Sequence, residues 1–256
     1  MERYQDINAA TIDRWIEEGW EWGRPISHDE YLRARADDVR IKLTPTKYVP
    51  ASWLGELSGK DVLGLCAGGG QQGPVLAAAG ARVTIIDYAA SQIASERLVA
   101  EREGYEIEAI QADVTKGLPF ADASFDLVVN PVSICYIREV GPLFAEVWRV
   151  LREGGELIAG FDTHLNFVVD DAEERIVWSL PFDPVTNEDQ RAFLEADDAG
   201  MQFSHTLTDT LARLLHLGFE VLDLFEDTNG EGRLHEMGIP TYVAIRVRKP
   251  ARRGGV

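Results

Sequence analysis

At 256 residues, with 45% hydrophobic and 27% charged residues, the chain is long enough for one domain with a substantial core. Its formal net charge of -18 excludes the basic stripe that binding a polyanion requires, so nucleic acid is not an expected partner. No apolar run approaches the ~20 residues of a membrane span. The N-terminal MERYQDINAATIDRW lacks a signal peptide's apolar core, and two cysteines, Cys66 and Cys135, are too few for a four-thiolate metal site. These features predict a cytoplasmic, reduced protein with no metal centre and no membrane partner.

Residues 1–58 carry helical patterns, including the capping box 27-SHDE-30 that opens a predicted helix over 28–40. Three tryptophans cluster in 15-WIEEGWEW-22, readable as an aromatic lid over a ligand or as the lid's own small core. A buried strand follows over 60–66, then a helix over 71–80 with Pro74 in its first turn and Gly80 as its left-handed stop. The β-branched run 81-ARVTIID-87 is a second strand, 90–103 a second core helix, 105–113 a third strand and 125–131 a fourth. A helix over 142–151, the turn 153-EGG-155 and a fifth strand over 156–162 complete the alternation. This rhythm implies right-handed crossovers and a parallel sheet covered on both faces. Residues 163–205 read as a helical cap, 206–216 as a helix, and 219–226 with 241–248 as an antiparallel hairpin closing the edge with only a Gly-rich loop between them. The basic run 246-RVRKPARRGG-255 reads as a frayed end.

The chemistry concentrates in 66-CAGGGQQG-73. Gly68, Gly70 and Gly73 spell the dinucleotide fingerprint, and Asp87 ends the next strand, where a carboxylate would accept both ribose hydroxyls of any adenosine cofactor. The rest of the chain argues against a dinucleotide. None of the seven tyrosines has a lysine four residues on, only about a hundred residues follow the fifth strand where the larger nicotinamide enzymes append a second substrate domain, and the terminal hairpin is foreign to most dinucleotide sheets.

Five segments in order resemble the class I S-adenosylmethionine-dependent methyltransferases: 62-VLGLCAGGG-70, Asp87, 111-QAD-113, 117-GLPFADASFDLVVNPVS-133 and 148-WRVLREGGELI-158. The longer stretch 44–87 also resembles a bacterial branch of that family carrying GGGQQ in the first motif. The resemblance implies a doubly wound, mostly parallel seven-stranded α/β sheet of the Rossmann-like methyltransferase fold, with a single domain over 1–256. Its expected parts are an N-terminal helical lid (1–58), a cofactor-binding core (59–162), a cap insertion (163–205) and a closing helix and hairpin (206–256). It also implies S-adenosylmethionine as cofactor and methyl transfer to a small molecule. The alternatives are a binding module without turnover and a nicotinamide-dependent oxidoreductase.

The residues carried over as cofactor-binding are Cys66, Ala67, Gly68, Gly70, Gln71, Gln72, Asp87, Tyr88, Gln92, Asp113, Val114 and Asn130. Gln71 and Gln72 stand where they could meet the methionine carboxylate or merely cap the loop. Tyr88 would lie against adenine, and Asp113 with the Val114 amide would read its edge. Two departures stand out: Gly64 occupies a usually acidic position, and Cys66 a usually glycine one that demands a turn conformation. The fragment 130-NPVS-133 lacks the second proline and aromatic of an amine clamp and reads as the methionine side of the pocket. His205, and secondarily His164, are the candidate general bases, since imidazole titrates near neutral pH.

Overall fold

The computed structural model describes residues 3–251, so the end of the basic run read as a frayed tail lies outside the described residues. Helix α1 (Tyr4–Glu17) and helix α2 (His28–Arg35) precede the core, with a 3₁₀ turn at Glu21–Gly23 between them. The capping box at Ser27 is present: Glu30 N–H donates to the Ser27 hydroxyl while the Glu30 carboxylate accepts from the Ser27 amide. The helix stops at Arg35 rather than 40 because Asp37 turns to a φ of 66°, which no helix tolerates. A single turn, α3 (Ala51–Leu54), buries Trp53 against the core.

The core follows the predicted alternation: β1 (Asp61–Leu65), α4 (Gln72–Ala78), β2 (Arg82–Asp87), α5 (Ala90–Glu103), β3 (Glu108–Gln111), β4 (Phe125–Asn130), α6 (Val140–Val150) and β5 (Leu151–Asp162). Helix α6 buries Val140, Leu143, Phe144, Val147 and Val150, one stripe at helical spacing, against the sheet. β5 is longer than expected. Residues 153–155, read as a turn before the strand, lie within it at an irregularity in the pairing with β4.

Beyond β5 the expected helical cap is mostly irregular. Residues 163–205 hold a 3₁₀ turn at His164–Phe167 and one helix, α7 (Glu188–Ala196), capped by the Asn187 side chain. The helix expected over 206–216 is a wide turn at Thr208–Ala212 running into α8 (Arg213–Leu217). β6 (Glu220–Asp227) and β7 (Tyr242–Arg248) form the closing antiparallel pair, but a short helix, α9 (Gly232–Glu236), stands between them where only a loop was expected.

The seven strands are ordered β3-β2-β1-β4-β5-β7-β6, parallel except for β7. Successive residues of β1 feed opposite faces: Leu63 and Leu65 join the α6 side, Val62 the side of Trp53 and α4. The order reverses between β1 and β4, and the chain's acidic strand ends gather at that carboxyl edge.

Candidate cofactor and acceptor site

The loop after β1 is built from forced backbone. Cys66 takes a φ of 48°, Gly69 98° and Gly70 70°, so the turn conformation that glycine would adopt more cheaply is indeed imposed on Cys66. Three successive amides are then used internally. Gly68 N–H donates to Asp87 Oδ2 at 3.2 Å, Gly69 N–H to the Gln92 carbonyl at 3.0 Å, and Gly70 N–H to Glu96 Oε1 at 2.7 Å. A pyrophosphate seeking free loop amides finds these three already engaged.

Glu96 is the residue that sequence reading missed here. It is fully buried on α5 beneath the loop, and desolvation pushes its carboxyl up to about 8. Its carboxyl braces the loop from behind by accepting from Gly70, and it does not line the cavity. A side chain at 64 would overlap Ile85 Cδ1, which fills that space. The one available signal was spacing, since Glu96 lies on the same buried stripe as Ile93, Val99 and Ala100.

The two glutamines hold the N-terminal segment. Gln71 Nε2 donates to the carbonyls of Glu21 (2.7 Å) and Arg24 (3.1 Å), and Gln72 Nε2 to the Lys42 carbonyl (3.0 Å). Helix α1 reinforces this from above. Arg3 pairs with Asp113 at 2.8 Å, Asp6 accepts from the Tyr88 hydroxyl at 2.6 Å, and Asp13 accepts from the Ser91 amide and hydroxyl. On its other side α1 reaches the segment before α8: Asn8 exchanges hydrogen bonds with the Met201 backbone, and Arg14 pairs with Asp198. One helix therefore bridges the core and the cap.

Beneath it lies a cavity of ≈ 560 Å³, within the ~300–1,000 Å³ typical of small-molecule sites. Cys66, Gly68, Gln71, Gln72, Asp87, Tyr88, Gln92, Asp113 and Val114 line it, nine of the residues expected from sequence. Trp20 and Trp22 line it as well, while Trp15 packs on Trp20 at 5.2 Å. Asp87 is buried, accepts 3.2 Å backbone bonds from Gly68 and Ala89, and is pushed up to about 6 by desolvation. Gln92 Oε1 is buried with no partner. Acceptor capacity aimed at this end suits a ligand rich in donors, as a ribose and an amino acid are.

Five expected site residues stand elsewhere. Ala67 is sealed beneath the loop. Gly70 faces inward, its amide on Glu96 and its carbonyl accepting from Ile26 N–H. Asn130 is buried and donates to the Leu65 carbonyl (2.7 Å) and the Ser133 hydroxyl (2.8 Å), tying β4 to β1; its neighbours Pro131, Val132 and Ser133 line the cavity instead. His164 lies outside the lining although its turn-mates Asn166 and Phe167 belong to it.

His205 is buried against the turn at Ile134–Tyr136, and its Nε2 lies 3.1 Å from the Ile134 carbonyl and 2.9 Å from that of Ile137. Two carbonyls can only accept, so Nε2 carries the hydrogen and is engaged. The sequence-based assignment of His205 as base is therefore corrected: it clasps the wall of the site. Desolvation lowers its pKa, so its stabilising contribution is full above about 6.5 and is lost as pH falls through the depressed folded value. His205→Ala is expected to cost about 1–3 kcal/mol in thermal unfolding and to leave S-adenosylhomocysteine affinity unchanged.

At the far end of the cavity stands Asp162, the last residue of β5, which the sequence reading passed over. Its carboxylate is buried, is pushed up to about 7 by desolvation, and lies opposite Tyr242 of β7. Phe167, Trp178, Phe182 and Phe193 wall that end. The legible signal was the parallel with Asp87, an acidic residue closing a buried strand at the same edge of the sheet.

An acceptor-lined end and an aromatic end thus share one space at the carboxyl edge of the sheet. The methyltransferase domain family matches residues 63–159. Over 247 residues the chain is 34% identical to the uncharacterized methyltransferase YbaJ of Bacillus subtilis, covering 93% of this chain and 96% of that one. A demethylmenaquinone methyltransferase of Renibacterium salmoninarum is 32% identical over 114 residues, 44% of this chain and 46% of its own. Among solved structures, an S-adenosylmethionine-dependent methyltransferase from Mesorhizobium loti superposes with a TM-score of 0.62 at 20% identity, covering 77% of this chain and 94% of that one. The chain belongs to the S-adenosylmethionine-dependent methyltransferases, and S-adenosylmethionine is its cofactor. No helix among the described residues is long and apolar enough to cross a membrane.

Proposed function

We propose that the protein transfers a methyl group to a small-molecule acceptor held under the cap, at the opposite end of the cavity from Asp87. The observation that carries this reading is continuity: one cavity is lined by Asp87 and Asp113 as well as by Asp162 and Trp178. In this reading Asp87 accepts from the ribose hydroxyls. Asp113 and the Val114 amide read the adenine edge, with Tyr88 along its face. Cys66, Gly68 and Gln92 flank the amino-acid portion, while Gln71 and Gln72 act by anchoring residues 21–24 and 42 across it. Gly70, Ala67 and Asn130 shape the loop from behind.

S-adenosylmethionine, when bound, supplies an electrophilic methyl group on a sulfonium. The chain's contribution is positioning and exclusion of water, because in-line displacement depends on alignment more than on acid or base help. Helix α1 and residues 163–205 serve as the lid and cap that close the cavity. A covered site favours a small acceptor, and the acceptor named for the demethylmenaquinone methyltransferase relative is likewise a metabolite rather than a protein or nucleic acid.

Calorimetry on the full chain tests the cofactor half: S-adenosylhomocysteine is expected to bind one site and NAD not to bind. Donor-dependent labelling of a small-metabolite pool, followed by mass spectrometry, tests the acceptor half. Labelling confined to protein or RNA would overturn the small-molecule reading.

A further inference from the structure

We infer that the acceptor is an amine carried on an apolar body and that Asp162 receives the proton its nitrogen must lose. The inference rests on the proposed reading of the cavity as a methyl-transfer site and names the chemistry of its acceptor end.

Asp162 is 8% exposed, yet it lines the cavity, and the donor its carboxylate meets is its own backbone amide, with no ion pair or side-chain donor on it among the described residues. A carboxylate so deeply buried with only its own amide against it is costly unless something supplies a further donor. The titratable groups that face it are Cys135 and Tyr136 from the turn after β4 and Tyr242 from β7, and burial raises the pKa of all three, so none of them brings a positive charge. The missing partner is a cationic or strongly donating group on a ligand.

The rest of the lining agrees. Six carboxylates border the cavity, from Asp87, Asp113, Asp162, Asp170, Asp171 and Glu173, against one basic side chain, Lys42. Lys42 is itself engaged: its Nζ donates to the Pro45 carbonyl at 3.0 Å and lies over the rings of Trp22 and Tyr48. A phosphate- or carboxylate-bearing acceptor would enter a field of its own sign. An ammonium would meet the opposite sign together with aromatic faces, since Phe167 and Phe182 stand 5.6 Å apart and Trp178 lies 5.9 Å from Phe182.

The step balances simply. An ammonium N–H proton passes to an Asp162 oxygen, leaving a lone pair on nitrogen. That pair bonds to the methyl carbon as the carbon–sulfur bond breaks, and the bonding electrons remain on sulfur. The product is a methylated ammonium, a neutral thioether and a protonated Asp162, which returns its proton to solvent on opening. With its pKa pushed up to about 7, Asp162 can take and return a proton near neutrality.

The test uses the full chain saturated with S-adenosylhomocysteine and three probes of matched shape: 2-phenylethylamine, 2-phenylethanol and 3-phenylpropanoate. Calorimetry is expected to show the amine binding roughly tenfold or more tighter than the alcohol, with the acid weakest. Amine affinity should rise with pH through about 7 as Asp162 ionises. Asp162→Asn should abolish the amine preference and the pH dependence, while S-adenosylhomocysteine affinity stays unchanged and the melting temperature does not fall, since Asn removes the cost of the buried charge. An amine that binds no better than its alcohol in the wild-type chain overturns the inference without recourse to any variant, as does an Asn variant that keeps the preference. Failure of S-adenosylhomocysteine to bind the wild-type chain would instead overturn the methyl-transfer reading, and this inference with it.

Discussion

Asp87→Ala is expected to weaken S-adenosylhomocysteine binding by about 2 kcal/mol or more, a factor of roughly 30. The carboxylate stands at the end of β2, buried, with two long backbone bonds that leave acceptor capacity for two hydroxyls. Its elevated pKa adds a sign. A protonated Asp87 accepts less well, so wild-type affinity should fall as pH drops below about 6, and the variant should lack that dependence. Titration calorimetry at pH 5 and pH 8 reads both effects. Unchanged affinity in the variant would mean that the ribose lies elsewhere.

Gly160→Ala is expected to destabilise the protein by about 3 kcal/mol, a loss of roughly 6–10 °C in melting temperature. A methyl group at 160 would overlap the Leu43 carbonyl oxygen and come 2.7 Å from its carbonyl carbon. The obstacle is backbone, so no rotamer change relieves it. The Leu43 carbonyl also accepts from Val132 N–H at 3.0 Å, and Leu43 and Val132 both line the cavity. Displacing this strap should therefore weaken cofactor binding along with stability. Differential scanning calorimetry checks the first effect, and an unchanged melting temperature would show that the strap yields freely.

The sheet was legible because its order is written locally. Each strand is an apolar run, each crossover helix a stripe at helical spacing, and helix α5 was bounded to the residue by Ala90 and Glu103. The adenosine end was legible because Gly68, Asp87 and Asp113 fall at or just beyond predicted strand ends, where the family resemblance gives them their roles. What escaped were partnerships across long separations. Nothing near Gln71 announces the carbonyls of Glu21 and Arg24, and nothing near His205 announces those of Ile134 and Ile137. A histidine close to the active edge reads as a base until the acceptors around it are known. Glu96 and Asp162 were missed for a related reason: a carboxyl's role depends on what buries it, and burial is set by residues distant in sequence. The cap defeated reading by periodicity because most of 163–205 is irregular chain packed on aromatic side chains, with α7 its only full helix among the described residues.

A crystal structure of the full chain with S-adenosylhomocysteine tests the central claim most directly. The account predicts the ribose on Asp87, adenine beside Asp113 and Tyr88, and the sulfur facing along the cavity toward Asp162 and Trp178. A nucleoside bound with its sulfur turned away from Asp162, or lying outside the space bounded by α1 and the cap, would contradict it.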